Sequence, residues 1–385
     1  MIPFGIHKKQ SANPGANVHL LLSVTAICWL AAKITGWKVW VTERTFPVIA
    51  PFDFLNNIPS KLHWLFFLCS VALLLLLVIK PANKIFQYSL FFSELCSCIL
   101  DQNRWQPWEY LYLFILFIFI VNKKNAATII TCFTIILATI YMYSGLHKFN
   151  DNFLTSMWDG TILKRFFKIP AWLYHVKLIH YSGYLLPAIE SLAGLGLLFS
   201  KTKKVSAIIL VAMHIFILLL IGPLGLHYNK IVWPWNIAMI IYLYFLFIKK
   251  DTAPSQNIAL LNKSNKIILL CWTILPALNF IGLWDNYLSW CIYSYNLPLM
   301  AICIKDSATA TQFHSYLNKK DSLNICDSNA LLNIQNWALK EMNVPAYPEE
   351  RVYKKIEEHW KKSFPLSNVS FVIYYFPFKG VLQTP

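Results

Sequence analysis

Apolar residues in this chain do not alternate with polar ones; they come in long runs separated by short connections that carry lysine, proline or tryptophan. Runs near 18–34, 62–79, 85–100, 108–121, 126–145, 179–199, 205–222, 231–248 and 266–283 each predict a helix, because crossing ~30 Å of hydrocarbon takes about 20 apolar residues. The third and fourth runs are the shortest and are capped by aromatic residues. Beyond residue 298 the pattern changes. Leu299 to Ile304 reads as a short strand, Leu331 to Met342 and Glu349 to Trp360 have helical spacing, and Val369 to Tyr375 is a further β run. The expected fold is an all-α polytopic membrane protein of about nine transmembrane helices over residues 1–298, with a small C-terminal α+β extracytoplasmic domain over 299–385.

Composition agrees with this pattern. The chain is 57% apolar and 16% aromatic but only 14% charged, where a soluble domain carries about a quarter charged residues. The net charge of +16 does not indicate nucleic acid, since the basic residues flank apolar runs instead of forming one face. Lys80, Lys84, Lys123, Lys124, Lys201, Lys203, Lys204, Lys249 and Lys250 all fall on one side of a nine-helix topology. That side is expected to be cytoplasmic, together with the N-terminus, in a bacterial inner membrane. Most cysteines lie inside apolar runs and read as small hydrophobes. Only Cys303 and Cys326 fall in the tail, which leaves a disulfide there open.

The stretch with most chemical potential is Tyr141 to Gly160. A membrane-length helix ends in Ser144-Gly145-Leu146-His147-Lys148, followed by Asp151, Trp158 and Asp159. Ionisable groups at a helix end in a membrane protein mark a functional-site hypothesis. Lys148 reads either as a snorkelling interface lysine or as a desolvated amine able to act as a general base, with His147 and Trp158 beside it. A second cluster, Leu100 to Tyr112, holds Asp101, Arg104 and Trp105. Asp101 and Arg104 are close enough to pair, and the aromatic residues suit an interfacial belt. A third, Gly222 to Asn236, holds His227 and Asn229, able to hydrogen-bond a carbonyl or phenolic oxygen, and Asn236, whose amide needs a partner inside a helix. Trp284 to Ser294 is a fourth aromatic turn. Glu94, Glu190 and His214 are polar groups within helices; Glu190, next to the small residues Ala193 and Gly194, reads as helix glue or a proton relay. No phosphate loop, GxSxG, HExxH or CxxC is present, and no metal site is expected. In the nine-helix topology the four clusters and the tail share the outer face.

In their order, the Ser144–Lys148 segment with Trp158 and Gly160, the Leu100-Asp101 pair with Trp105 and Tyr110-Leu111-Tyr112, and His227 with Asn229 resemble the membrane region of the vitamin K-dependent γ-carboxylase. They are similar also to its bacterial relatives with a horizontally transferred transmembrane (HTTM) domain and to DoxX-like membrane proteins, over about 89–298. The resemblance implies Lys148 as catalytic base and His147, Asp101, Trp105, Trp158, His227, Asn229 and Asn236 around a membrane hydroquinone of menaquinone or vitamin K type. Pro107 and Trp108 stand where the carboxylase has an Asn-His pair. The reading that follows is an outward-facing quinol site serving a carboxylase-like or oxidoreductase activity. The alternative is a non-enzymatic module in the lipid bilayer that binds quinone, or an envelope protein through residues 299–385.

Overall fold

The computed structural model describes residues 14–122, 125–249, 261–318, 320–321, 323–327, 329–375 and 382–383. A helical bundle comes first: α1 (Pro14–Thr35), α2 (Ser60–Ile79), α3 (Lys84–Leu100), α4 (Pro107–Asn122) and α5 (Ala126–Leu146). After a π-helical segment, Phe153–Phe166, come the short α6 (Ala171–Tyr174) and α7 (Lys177–Ser182), then α8 (Leu185–Gly196), α9 (Lys203–Ile221), α10 (Val232–Leu243) and α11 (Lys263–Thr273). Asparagines mark several starts: the side chains of Asn83, Asn125 and Asn262 accept backbone N–H groups of the first turns of α3, α5 and α11, satisfying donors that a helix N-terminus otherwise leaves open.

Five helices among the described residues are long and apolar enough to cross a membrane: Val18–Thr35, Ser60–Ile79, Ala126–Leu146, Lys203–Ile221 and Lys263–Ile281. Pro107–Asn122 and Val232–Ile248 are shorter apolar helices. The expected count of about nine spans is not reached among the described residues. Run length by itself ignores backbone breaks. Proline at position 187 lacks the N–H that would continue a helix arriving from α7, so the apolar run at 179–199 is divided and α8 keeps only 12 residues.

The tail contains α12 (Ser307–Gln312), α13 (Ile334–Met342) and α14 (Glu350–Ser363) around a sheet of order β2-β1-β3-β4, with β1 Leu299–Ile304, β2 Ala330–Asn333, β3 Val369–Tyr374 and β4 Leu382–Gln383. All pairs are antiparallel. The segment read as helix from Leu331 begins instead as β2, because Leu331 and Leu332 pair with β1 before Asn333 caps α13. Strand alternation divides the sheet faces. Met300, Ile302 and Ile304 join the main core, whereas Ala301 and Cys303 face a small cluster with Ile325, Cys326 and Leu331. Cys303 and Cys326 form a disulfide, Cα atoms 5.2 Å apart, tying the β1–β2 connection over that second face.

The main apolar core is continuous from the bundle into the tail, joining Trp29, Trp40 and Trp108 to Trp337, Tyr353 and Trp360. Polar contacts fix the same docking. Asn343 Nδ2 donates to Thr35 O (2.9 Å), Gln106 Nε2 to Pro345 O (3.1 Å), the Tyr347 N–H to Asn103 Oδ1 (3.2 Å), and Lys355 Nζ to Ala50 O (3.0 Å). Glu341 accepts from Lys38 Nζ (3.0 Å), Thr45 Oγ1 (3.1 Å) and the Tyr316 hydroxyl. The tail therefore sits on the α1–α2 and α3–α4 connections.

Candidate functional site

Small residues bring α5 and α8 into close contact. A Cβ at Gly145 would lie 2.1 Å from Ser191 Oγ and 2.7 Å from Pro187 O, and one at Gly194 would lie 2.7 Å from Tyr141 Cβ. Glycine at such a crossing lets two backbones approach within hydrocarbon. The crossing places Lys148 against Glu190: Lys148 Nζ donates to Glu190 Oε2 at 2.6 Å and to Ser144 Oγ at 2.8 Å. The two side chains are 12% and 10% exposed. An ammonium donating to a carboxylate and a hydroxyl is the arrangement these contacts describe, an ion pair joining α5 to α8. Glu190, noted in the sequence as helix glue or relay, is the carboxylate of that pair.

A neutral chain lies alongside. Asn236 Nδ2 donates to Val232 O (2.8 Å), so its Oδ1 is free to accept; His214 Nδ1 lies 2.7 Å from that oxygen, and His214 Nε2 lies 2.7 Å from the Tyr141 hydroxyl. These partners assign the proton to His214 Nδ1 and make Tyr141 the donor to Nε2. All members are buried. The amide of Asn236 thus finds its partner in α9, and the chain links α5, α9 and α10.

The other sequence-derived residues occupy separate places. His147 ends α5 with its ring stacked on Phe280 (4.4 Å, 17°) and its Nε2 buried without a partner among the described residues; burial pushes its pKa down to about 4, against a hydrogen bond to the Ser289 backbone. Trp158 packs on Gly183 and donates from Nε1 to Ile179 O at 2.8 Å. His227 (φ 48°) and Asn229 (φ 49°) are left-handed turn residues; Asn229 Nδ2 donates to the Tyr293 hydroxyl at 2.9 Å, a phenolic oxygen of the chain itself, and His227 meets Trp233 edge-on.

Asp101 and Arg104 do not pair with each other, contrary to expectation. Asp101 pairs with Arg44 and accepts the Ile49 N–H (3.2 Å) and both the backbone N–H and Nδ2 of Asn103 (3.0 Å each). Arg104 points the other way, donating to Val39 O, Trp40 O, Ser97 O and Ser97 Oγ, and meeting His63 Nδ1 at 2.7 Å. Both side chains are fully buried. They clamp the α3–α4 turn to the α1–α2 connection and leave no group for a ligand.

Trp105 lies elsewhere again, in the wall of a cavity of about 440 Å³ between α3, α4, α11 and the tail. Its apolar wall includes Phe91, Tyr110, Phe114, Phe117 and Leu288. Behind that wall, Tyr110 stacks on Trp272 (4.8 Å, 8°) and Trp272 adjoins Trp290 (5.1 Å). The polar end holds Gln102, Trp284, Asp285, Tyr347 and Arg351. Asp285 is committed, accepting the Tyr347 hydroxyl (2.8 Å) and a two-pronged contact from Arg351 (2.8 and 2.5 Å). Two of these residues each carry a buried polar atom without a hydrogen-bond partner among the described residues, Nε1 of Trp284 and Oε1 of Gln102. Gln102 and Trp284 belong to aromatic turns visible in the sequence, but Tyr347 and Arg351 are tail residues that no local pattern connects to them.

Residues 125–230 match a family model described as methylamine utilisation protein MauE. Neither the curated proteins nor the solved structures gave a match. The MauE family is one of membrane proteins, and five described helices of this chain are long and apolar enough to cross a membrane. The finding also corrects the resemblance read from motif order: it is the MauE model that matches, and the HTTM, γ-carboxylase and DoxX-like assignment has no support. Motif order misled because tryptophan-rich turns at helix ends are common to membrane proteins at large. The MauE match spans α5 to α9, and so includes His147, Lys148, Trp158, Glu190, His214, His227 and Asn229. Asp101, Trp105, Asn236 and every residue lining the aromatic cavity fall outside it.

Proposed function

We propose that this membrane protein binds a lipid-soluble ring compound of quinone or hydroquinone type in the aromatic cavity between α3, α4, α11 and the tail. The supporting observation is an aromatic, apolar slot whose polar end is lined by Trp284 and Gln102, residues whose Nε1 donor and Oε1 acceptor have no hydrogen-bond partner among the described residues. A quinone carbonyl accepts from the indole N–H; a hydroquinone hydroxyl can in addition donate to the amide oxygen. Buried polar atoms without partners are costly, so a ligand supplying both is favoured. The walls from α3, α4 and α11 suit a ligand that arrives from the bilayer. Lys148 does not line this cavity, so the binding reading needs no general base.

The same reading places the tail outside the cytoplasm. A disulfide between Cys303 and Cys326 suits an oxidising compartment, while Lys80, Lys84, Lys201, Lys203 and Lys204 lie at the opposite ends of their helices, as positive residues on the cytoplasmic side do.

The test is a titration of the detergent-purified protein with a short-chain menaquinone analogue, followed by tryptophan fluorescence, together with native mass spectrometry of the protein as extracted. Saturable quenching in the wild type that weakens about tenfold in Trp284→Phe, the loss of one hydrogen bond at about 1.4 kcal/mol, supports the reading. Equal affinity in wild type, Trp284→Phe and Trp105→Ala refutes it. Capture of an envelope protein by the tail without quinone binding would favour the non-enzymatic partner module instead.

A further inference from the structure

We propose that the cavity between the π-helical segment Phe153–Phe166 and the short helices α6 and α7 binds the phosphodiester headgroup of an anionic phospholipid. The cavity measures about 460 Å³, and its lining includes Asp159, Lys164, His175, Lys177, His180 and Tyr181. It shares no residue with the aromatic cavity, so the proposal does not rest on quinone binding.

Contacts within the chain fix the walls. Trp158 Nε1 donates to Ile179 O at 2.8 Å, and a Cβ at Gly183 would lie 2.5 Å from the Trp158 ring, so the end of α7 is drawn tightly against the π-helical segment. His180 Nδ1 lies 2.5 Å from Asp159 Oδ2, and the Tyr184 hydroxyl donates to Asp151 Oδ1 at 3.0 Å. A carboxylate only accepts, which assigns a proton to His180 Nδ1.

Charge and placement select the occupant. Between positions 151 and 184 the chain carries four Lys or Arg against two Asp. Both acids are engaged by the contacts just described, and Asp159 Oδ1 is sealed from solvent. The Lys164 and Lys177 ammonium groups, by contrast, have no ion-pair or hydrogen-bond partner among the described residues. Two such cations in one lining suit a phosphate, which a lysine meets as a point charge. The segment joins the end of α5 at Leu146 to the start of α8 at Leu185, the level at which headgroups lie beside spanning helices. Trp172 on α6 and Leu178 on α7 are 73% and 81% exposed, with Val176 and Leu185 exposed near them. Basic residues beside outward-facing apolar ones are the pattern of a segment lying in the membrane interface. Acyl chains cover the apolar side chains while the phosphate meets the lysines; a soluble phosphate would leave Trp172 and Leu178 in water.

Native mass spectrometry of the detergent-purified protein, titrated with phosphatidylglycerol, tests this. One saturable lipid is expected, weakened about tenfold in Lys164→Ala/Lys177→Ala and unchanged in Lys203→Ala/Lys204→Ala, which removes two exposed lysines at the start of α9. Trp172→Ala/Leu178→Ala should weaken it too, and millimolar inorganic phosphate should leave the lipid in place. Each variant is first checked by gel filtration. Equal affinity in wild type and Lys164→Ala/Lys177→Ala, the same loss in Lys203→Ala/Lys204→Ala, or displacement of the lipid by inorganic phosphate would overturn the proposal.

Discussion

Removing either member of the Lys148–Glu190 pair should loosen the α5–α8 crossing, and removing both should largely restore it. Taking away one partner of a buried ion pair costs about 3–5 kcal/mol, because the other charge is left uncompensated. Here the side chains are 12% and 10% exposed, so some water reaches the abandoned charge and the expected cost of Lys148→Met or Glu190→Gln falls to about 2–3 kcal/mol. The double variant exposes no lone charge and replaces the pair by groups of similar volume, so it should itself cost only about 1–2 kcal/mol, a coupling of about 3 kcal/mol. Unfolding in mixed micelles of dodecyl maltoside and SDS, followed by tryptophan fluorescence, measures all four corners of the cycle. Additivity within about 0.3–0.5 kcal/mol, the level expected of independent sites, would refute the idea that this pair fastens the two helices. Retention of quinone-analogue binding by both single variants is expected as well, because neither residue lines the aromatic cavity.

Gly194→Ala should destabilise the same crossing by about 1–3 kcal/mol, since the new Cβ meets Tyr141 Cβ at 2.7 Å and Ala138 O at 2.9 Å; the same unfolding assay reports it. His147 is held neutral in the fold with its pKa pushed from 6.5 to about 4. The contribution of this neutral histidine is fully present above pH 6.5 and is lost as pH falls through about 4, worth on the order of 3 kcal/mol; His147→Phe should flatten that part of the stability–pH curve. Breaking the Cys303–Cys326 bond, which closes a separation of 23 residues, should cost about 3 kcal/mol, and mass mapping of thiol labelling should find both cysteines reactive only after reduction. Asp306 caps α12 and also accepts the Asn368 N–H. Backbone donors, Thr309 first, hold its carboxyl below the ordinary 3.8, so these contacts are present above that pH and lost as pH falls through the lowered value, seen as faster amide exchange at residues 307–312.

The helical elements are legible in the sequence because hydrocarbon length and apolar run length are the same physical quantity. Their status as spans is less so: Pro187 is visible inside the run 179–199, but run length alone does not register the break that shortens α8. The common end of the four aromatic and polar turns is legible too, since short connections alternate between the two ends of a bundle; contacts such as His147 with Phe280, Asn229 with Tyr293 and Asn103 with Tyr347 join those turns to one another and to the tail. Partnerships are what local pattern hides. Asp101 takes Arg44, 57 positions away, over the nearby Arg104, and Lys148 takes Glu190, 42 positions on. Lys33 reads locally as the polar stop of the first apolar run; only the meeting of α1 and α3 makes it the counter-charge of Glu94. The polar end of the cavity is completed by Tyr347 and Arg351, whose positions depend on how the tail docks.

The continuity of the apolar core across the boundary with the tail has a consequence for biogenesis. Helices emerge from the ribosome before residue 299 exists, so the newly inserted bundle ends in an unroofed surface around Val39, Trp40, Phe46 and Trp108, all buried in the finished protein. Only when Trp337, Tyr353 and Trp360 follow does that surface close. A chain stopped short of α14 should therefore be a target for membrane quality control, and the tail released on its own should be insoluble; both ends of the protein mature together or not at all.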